Sequence, residues 1–221
     1  MKITLEQHEH YITALKAELT DTLPGKDAQM AMAPGGRRLT PPPNTGAPRR
    51  SAVLIPMTSI KGRVSLLFTV RRDDLEHHGG EVSFPGGAVE ESDSSCADTA
   101  LREAQEEIQL IPKCVEVLGE LTSLYVPPTH YLVHPVVGWI PHLPPLTANH
   151  QEVARILTVP FDYLLDPHMI LQERWRRDGL TMTVPFYQVE DWPLWGATAM
   201  MLNELLVLTR RILKDPITYE P

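Results

Sequence analysis

The pattern of apolar and polar positions divides the chain into a helical head, a punctuated connector and a run of short strands closed by a last helix. Leu5, His8, Ile12, Leu15 and Leu19 recur at helical spacing, and Thr4 with Gln7 resembles a capping box, predicting an amphipathic helix over residues 4–20. Such a helix can cover the core of its own chain or pair with a second copy in a homodimer. Residues 24–50 carry Pro24, Pro34, Pro41, Pro42, Pro43 and Pro48 among several glycines, which predicts an extended connector. The compact domain is expected to begin near Arg50, dividing the chain into a head and connector (1–48) and a folded domain (49–215).

Short apolar or β-branched runs separated by turn residues predict strands at Ser51–Met57 and Val64–Arg71, joined around Gly62. Further strands are expected at Val115–Val126, His130–Ile140, Val153–Val159 and Thr181–Tyr187. Helices are expected at Ser95–Ile108 and from about Leu194 to Leu213. In the last, Ala197, Met201, Leu205, Leu208 and Ile212 form an apolar stripe suited to core packing. This mixture predicts helices packed on a mixed sheet.

At 221 residues, with 43% hydrophobic and 22% charged residues, the chain has the composition of a folded protein with one well-buried core. No run of roughly 18 uncharged apolar residues is present, so no membrane span is expected, and the absence of an export signal makes the cytoplasm the expected location. Cys96 and Cys114 form no metal-binding spacing and fit free thiols in a reducing compartment. A formal net charge of −8 argues against nucleic-acid phosphates as a partner. If a polyphosphate is the ligand, divalent cations must stand between it and the acids.

The stretch FPGGAVEESDSSCADTALREAQEEIQL, from Phe84 to Leu110, joins a glycine turn to an acid-rich helix. Ala97, Ala100, Leu101, Ala104 and Ile108 share one side of that helix and can pack on a sheet. Glu103, Glu106 and Glu107 gather on another side. Like charges one turn apart destabilise a helix by a few tenths of a kcal/mol per pair, a sign that a bound cation reverses. Oxygen-only ligands suit magnesium, which also bridges to phosphates. Gly86 and Gly87 let the backbone turn sharply and bring a carbonyl near the same ions, and Arg102 can orient a glutamate by a forked hydrogen bond. The bland alternative, a solvated acidic face, does not account for the glycines, Arg102 and the preceding strand together.

This segment closely resembles the Nudix box, G-x5-E-x7-R-E-U-x-E-E-x-G-U, with U a bulky aliphatic residue. Gly87, the Arg102–Glu103 pair, the Glu106–Glu107 pair and Leu110 match it. Asp93 stands at the early glutamate, the gap to Arg102 is one residue longer, Ala104 is small, and Gln109 replaces the late glycine. Upstream, LLFTVRRDDLEHHGGEVSFPGG (Leu66–Gly87) resembles the signature of the coenzyme A diphosphatase branch, with Thr69, Arg71, Leu75, His78, Gly80 and Phe84–Gly87 fitting. Glu76 stands where that branch has arginine, and Glu81 where it has glutamine. The resemblance covers roughly residues 49–210.

The resemblance implies an α/β fold of the α+β kind, an α/β/α sandwich on a mixed sheet with a catalytic loop-helix-loop. It implies Mg2+ or Mn2+ as cofactor, one to three ions held by Glu103, Glu106 and Glu107 with the Gly86 carbonyl, with Arg102 and Glu103 in the catalytic set. Glu152, ahead of the Val153 strand, is the candidate general base, with Glu103 the alternative. Arg71, His78 and Gly87 are candidate substrate contacts, whereas His134 reads as a structural histidine. The implied activity is cleavage of the diphosphate of a nucleotide derivative, coenzyme A first, with 3′,5′-ADP and 4′-phosphopantetheine as products. ADP-ribose, a dinucleoside polyphosphate or a nucleoside triphosphate is the alternative substrate, and a catalytically silent nucleotide-binding module the rival from another class. With Glu76 in place of a cation, Arg71 or Arg72, or Arg49 and Arg50, are expected to meet the 3′-phosphate of coenzyme A.

Overall fold

The computed structural model describes residues 5–74, 79–177 and 179–213. Its centre is β1 (Arg49–Ile60), whose run SAVLIPM is buried almost without interruption because both faces of the strand are covered. A two-residue turn leads into β2 (Arg63–Arg71). Lys61 and Gly62 both have positive φ, 50° and 76°, the backbone that a tight hairpin between twisted strands requires. β3 (Val82–Ser83) pairs with β2, and β4 (Gly86–Ala88) pairs antiparallel with β1. α3 (Cys96–Ile108) follows.

The chain then forms β5 (Glu116–Glu120), β6 (Leu124–Val126) and β7 (Tyr131–Ile140). β7 runs parallel to β1 from Arg49↔Tyr131 to Thr58↔Ile140, while β5 and β6 both pair antiparallel with β7. β8 (Val153–Pro160) closes on the far edge of β2. Among the described residues these eight strands make one mixed sheet. The single strand expected over Val115–Val126 is two strands, interrupted at Leu121–Ser123 shortly after the register shifts between Val117 and Gly119.

α4 (Phe161–Leu165) leads to a separate antiparallel sheet of β9 (Ile170–Arg177), β10 (Leu180–Val189) and β11 (Trp192–Leu194). The strand expected at Thr181–Tyr187 therefore belongs to this second sheet. α5 (Gly196–Leu213) ends the described chain and is buried on nearly all sides, more than its apolar stripe indicates, since it is packed against other helices as well as strands.

Two hydrophobic clusters lie on opposite faces of the large sheet. Ala100, Ala104 and Ile108 of α3 pack on Ala52, Leu54, Leu67 and Val136. The other face is covered by α5 together with α1 (Leu5–Glu18). The architecture is the α/β/α sandwich on a mixed sheet.

The head and connector are part of this core, not an appendage to it. Tyr11, Leu15 and Met32 are 2% exposed or less, and burial of each such side chain contributes about 2 kcal/mol. The Tyr11 hydroxyl meets Thr209 Oγ1 of α5 at 2.8 Å. Of the two options open to the first helix, the structure shows the core of its own chain. Thr4 of the expected capping box lies outside the described residues. The connector is not extended throughout: Gly25–Met30 form a helix, α2, whose leading amide at Gly25 donates to the buried Glu204 carboxylate at 3.0 Å. Gln29 Nε2 donates to the same carboxylate at 2.8 Å. Prolines break the periodic signal here, but individual residues still find buried partners.

Candidate active site

α3 is started by Ser95, whose hydroxyl accepts the Asp98 amide at 3.1 Å. It is stopped by Gln109 in the left-handed region (φ 55°), a conformation that costs a non-glycine residue roughly 1 kcal/mol and normally falls to glycine. Between these ends the helix lays its alanines on the sheet and turns its acids toward β4 and β2.

The glycines of β4 are explained by close approach. Neither has positive φ, so the expected sharp turn is replaced by a short strand paired with β1. A Cβ at Gly86 would lie 2.4 Å from the Ala52 carbonyl oxygen. One at Gly87 would lie 2.3 Å from Glu103 Oε1, so the missing side chain is what admits the Glu103 carboxylate. Gly86 also reaches the acids through its backbone, which hydrogen-bonds Glu107.

Arg102 reaches two of the acids, but not by the forked hydrogen bond expected on a glutamate. Its Nη1 donates to Glu103 Oε1 at 2.9 Å and to Glu106 at 3.3 Å. Its Nε and Nη2 form a fork on Asp93, both at 3.1 Å, and Nη2 also donates to the Ala88 carbonyl at 3.0 Å. Asp93 further accepts the Glu90 amide and the Thr99 hydroxyl. The Arg102 contacts, first among these, hold Asp93 far below the usual carboxylate range. Sequence reasoning noted Asp93 only as a departure. The structure makes it the anchor of Arg102.

Glu107 is 3% exposed, and burial pushes its carboxyl up to about 8 against the pull of Arg71 and the Gly86 backbone. The Thr69 hydroxyl donates to it at 3.5 Å. Glu103 is also raised, first by burial, whereas Glu106 is 57% exposed. Glu152 sits in the turn before β8, exposed, with its charge felt by both Glu103 and Glu107. The sequence-predicted residues Arg71, Gly86, Gly87, Arg102, Glu103, Glu106, Glu107 and Glu152 thus share one neighbourhood. The oxygens of the three α3 acids do not converge within 4.8 Å of one another, because Arg102 holds two of them. His78, with Glu76, lies outside the described residues.

An oxygen-only donor set with a buried carboxylate pushed up to about 8 suits a hard divalent cation, which would supply the charge that burial withholds. A different grouping, Cys96, Glu120 and His134, does bring its ligand atoms within 4.8 Å of one another. There Arg50 Nη2 donates to Cys96 Sγ at 3.1 Å, putting a positive charge where a cation would have to bind. His134 Nδ1 lies 3.7 Å from Glu120, and its Nε2 is buried without a hydrogen-bond partner.

Beside the acids opens a cavity of about 1020 Å3, at the upper end of the range for small-molecule sites. Arg71, Gly86 and Gly87 form part of its wall. Apolar side chains including Val126, Tyr131, Met182, Trp195 and Met201 form much of the rest, and Glu81 adds a carboxylate. Arg37 and Arg38 of the connector also line it, which sequence reasoning missed; the paired arginines after Gly35–Gly36 were the available signal. The other arginines proposed as anion contacts are engaged elsewhere. Arg72 forks onto Asp74 and reaches the His150 carbonyl, and Arg49 lies 4.8 Å from the Tyr131 ring centroid.

A sandwich of this kind, with an arginine-ordered acidic helix beside a glycine strand, defines a hydrolase of phosphoanhydrides. The chain belongs to the Nudix hydrolases: the family model described as NUDIX domain matches residues 48–178. The chain is 38% identical over 167 residues to the peroxisomal coenzyme A diphosphatase NUDT7 of Mus musculus, covering 74% of this chain and 70% of that protein. It is also 38% identical over 170 residues to the uncharacterized Nudix hydrolase NudL of Photorhabdus laumondii, covering 76% and 90% respectively. The crystal structure of a MutT/nudix family protein from Enterococcus faecalis superposes with a TM-score of 0.51 at 16% identity, covering 79% of this chain and 66% of that one. That likeness concerns the fold. Among the described residues no helix is long and apolar enough to cross a membrane.

Proposed function

We propose that the protein hydrolyses the diphosphate of coenzyme A, releasing 3′,5′-ADP and 4′-phosphopantetheine. The observation that carries this reading is the position of Gly87, which lines the large cavity on one side and admits the Glu103 carboxylate on the other. A nucleotide derivative in the cavity therefore has its diphosphate beside the acidic helix. The mouse relative is named for coenzyme A, and the upstream signature around Thr69, Arg71 and Phe84–Gly87 points the same way.

In this reading Glu103, Glu106 and Glu107 would hold Mg2+ or Mn2+ with help from the Gly86 carbonyl. When bound, such an ion would supply Lewis-acid polarisation of the phosphoryl oxygens and a lowered pKa for the attacking water. Arg102 keeps Glu103 and Glu106 oriented, and Arg71 contacts a phosphate beside Glu107. Glu152 takes the proton from the water as its oxygen bonds to phosphorus and the bridging P–O bond breaks. Trp195 and Tyr131 offer flat apolar surface for the base.

The test is a substrate panel with Mg2+, resolving products by chromatography: coenzyme A, ADP-ribose, a dinucleoside polyphosphate and a nucleoside triphosphate. Coenzyme A is expected to give the highest kcat/KM, with 3′,5′-ADP as product. Cleavage of ADP-ribose without coenzyme A would keep the enzyme class and remove the substrate assignment, a result favoured by the Glu81 carboxylate in the cavity wall.

A further inference from the structure

The connector contributes a pre-shaped cation to the cavity. Pro34 to Arg37 form a tight turn in which the Arg37 amide donates to the Pro34 carbonyl at 3.1 Å and Gly36 takes φ 80°, the glycine position of a type II turn. The Gly35 amide ties this turn to the Thr183 carbonyl of β10 at 2.9 Å. Arg37 Nη2 ties it to the Tyr125 carbonyl of β6 at 3.1 Å. The loop is therefore fixed at both ends before any ligand arrives.

What the loop presents is an under-used guanidinium. Arg37 has five N–H donors, its Nε is buried without a hydrogen-bond partner, and among the described residues no carboxylate pairs with it. Burial pushes its pKa below the ordinary arginine value. A desolvated cation left in this condition is costly unless an anion completes it. The same cavity includes the exposed Arg38, the half-buried Arg71 and the Glu81 carboxylate.

We infer that Arg37 binds a phosphate of the substrate other than the scissile diphosphate, which on the coenzyme A reading is the 3′-phosphate of the adenosine. The assignment rests on that reading for the name of the phosphate. It rests on the Arg37 geometry for its place.

The experiment compares 3′,5′-ADP with 5′-AMP by calorimetry on the full chain, for wild type, Arg37→Gln and Arg37→Lys. Wild type is expected to bind 3′,5′-ADP at least about tenfold more tightly than AMP, as a charge-assisted contact allows. Arg37→Gln should collapse that ratio toward one, and Arg37→Lys should restore part of it. A role confined to holding the loop on Tyr125 would weaken both nucleotides alike and leave the ratio intact, which would overturn the inference. Equal affinities in wild type would overturn it without any variant, so a failure of Arg37→Gln to fold does not protect it. Hydrolysis separates the two readings. Tight, Arg37-dependent binding of 3′,5′-ADP without cleavage of coenzyme A sinks the proposed substrate and keeps Arg37, whereas cleavage of coenzyme A and dephospho-coenzyme A with equal kcat/KM does the reverse.

Discussion

At the scale of single residues, Glu107 sets function against stability. Its carboxyl, pushed up to about 8 from an ordinary 4.5, favours the fold only while protonated. That contribution is full below the unfolded value and is lost as pH rises through about 8. Glu107→Gln imitates the protonated form. In EDTA its melting temperature is therefore expected to exceed that of wild type by a margin that widens from pH 5 to pH 8, and a margin independent of pH would refute the account. The same variant is expected to lose kcat by at least about a hundredfold with Mg2+. Gly87→Ala makes the complementary case. A methyl group 2.3 Å from Glu103 Oε1 must displace a side-chain tip but no backbone, so kcat should fall by about tenfold to a hundredfold with little change in melting temperature. Normal turnover in that variant would mean that the position of Glu103 is unimportant.

At the scale of elements, one buried acid ties the start of α2 to α5. Glu204 of α5 is fully buried and accepts from Gly25, Gln29 and Thr122. Glu204→Ala leaves the Gly25 and Thr122 amides without this acceptor and Gln29 with only the Thr122 carbonyl, and is expected to cost about 2–4 kcal/mol in urea unfolding. A loss within experimental error would show that water replaces the carboxylate. The elements also differ in how well the sequence announces them. α3 is legible because its alanines and acids separate at helical spacing and Ser95 caps it. β1 is legible as an apolar run. β9, with the sequence ILQERWRR, is mostly exposed and carries no alternation, so nothing local marks it as a strand. The glycines at 86 and 87 were legible as necessary, but their reason lies in Glu103 and Ala52, which are distant in sequence. Arg37 was hidden for a related cause: its worth depends on a cavity that exists only after β6 and β10 have come together.

At the scale of the whole molecule, the residues matched by the family model are not the whole core. Tyr11, Leu15, Leu19 and Met32 lie before residue 48 and are buried in the larger hydrophobic cluster. At about 2 kcal/mol each, their burial is comparable with the roughly 5–15 kcal/mol net stability of a complete domain. A chain starting at residue 48 is accordingly expected to lack a cooperative thermal transition and to bind a hydrophobic dye. A sharp transition near that of the full chain would show that the head is dispensable.

The turn fixed between β6 and β10 separates two tasks that are often entangled. The acids proposed to hold the metal sit on α3, whereas part of the cavity wall comes from a stretch outside the family match. On the Arg37 proposal, exchange of residues 34–38 is expected to alter which nucleotide binds while leaving the α3 acids in place. Divergence within such a lineage can therefore proceed by rewriting a proline-flanked loop, leaving the chemistry as an inherited constant.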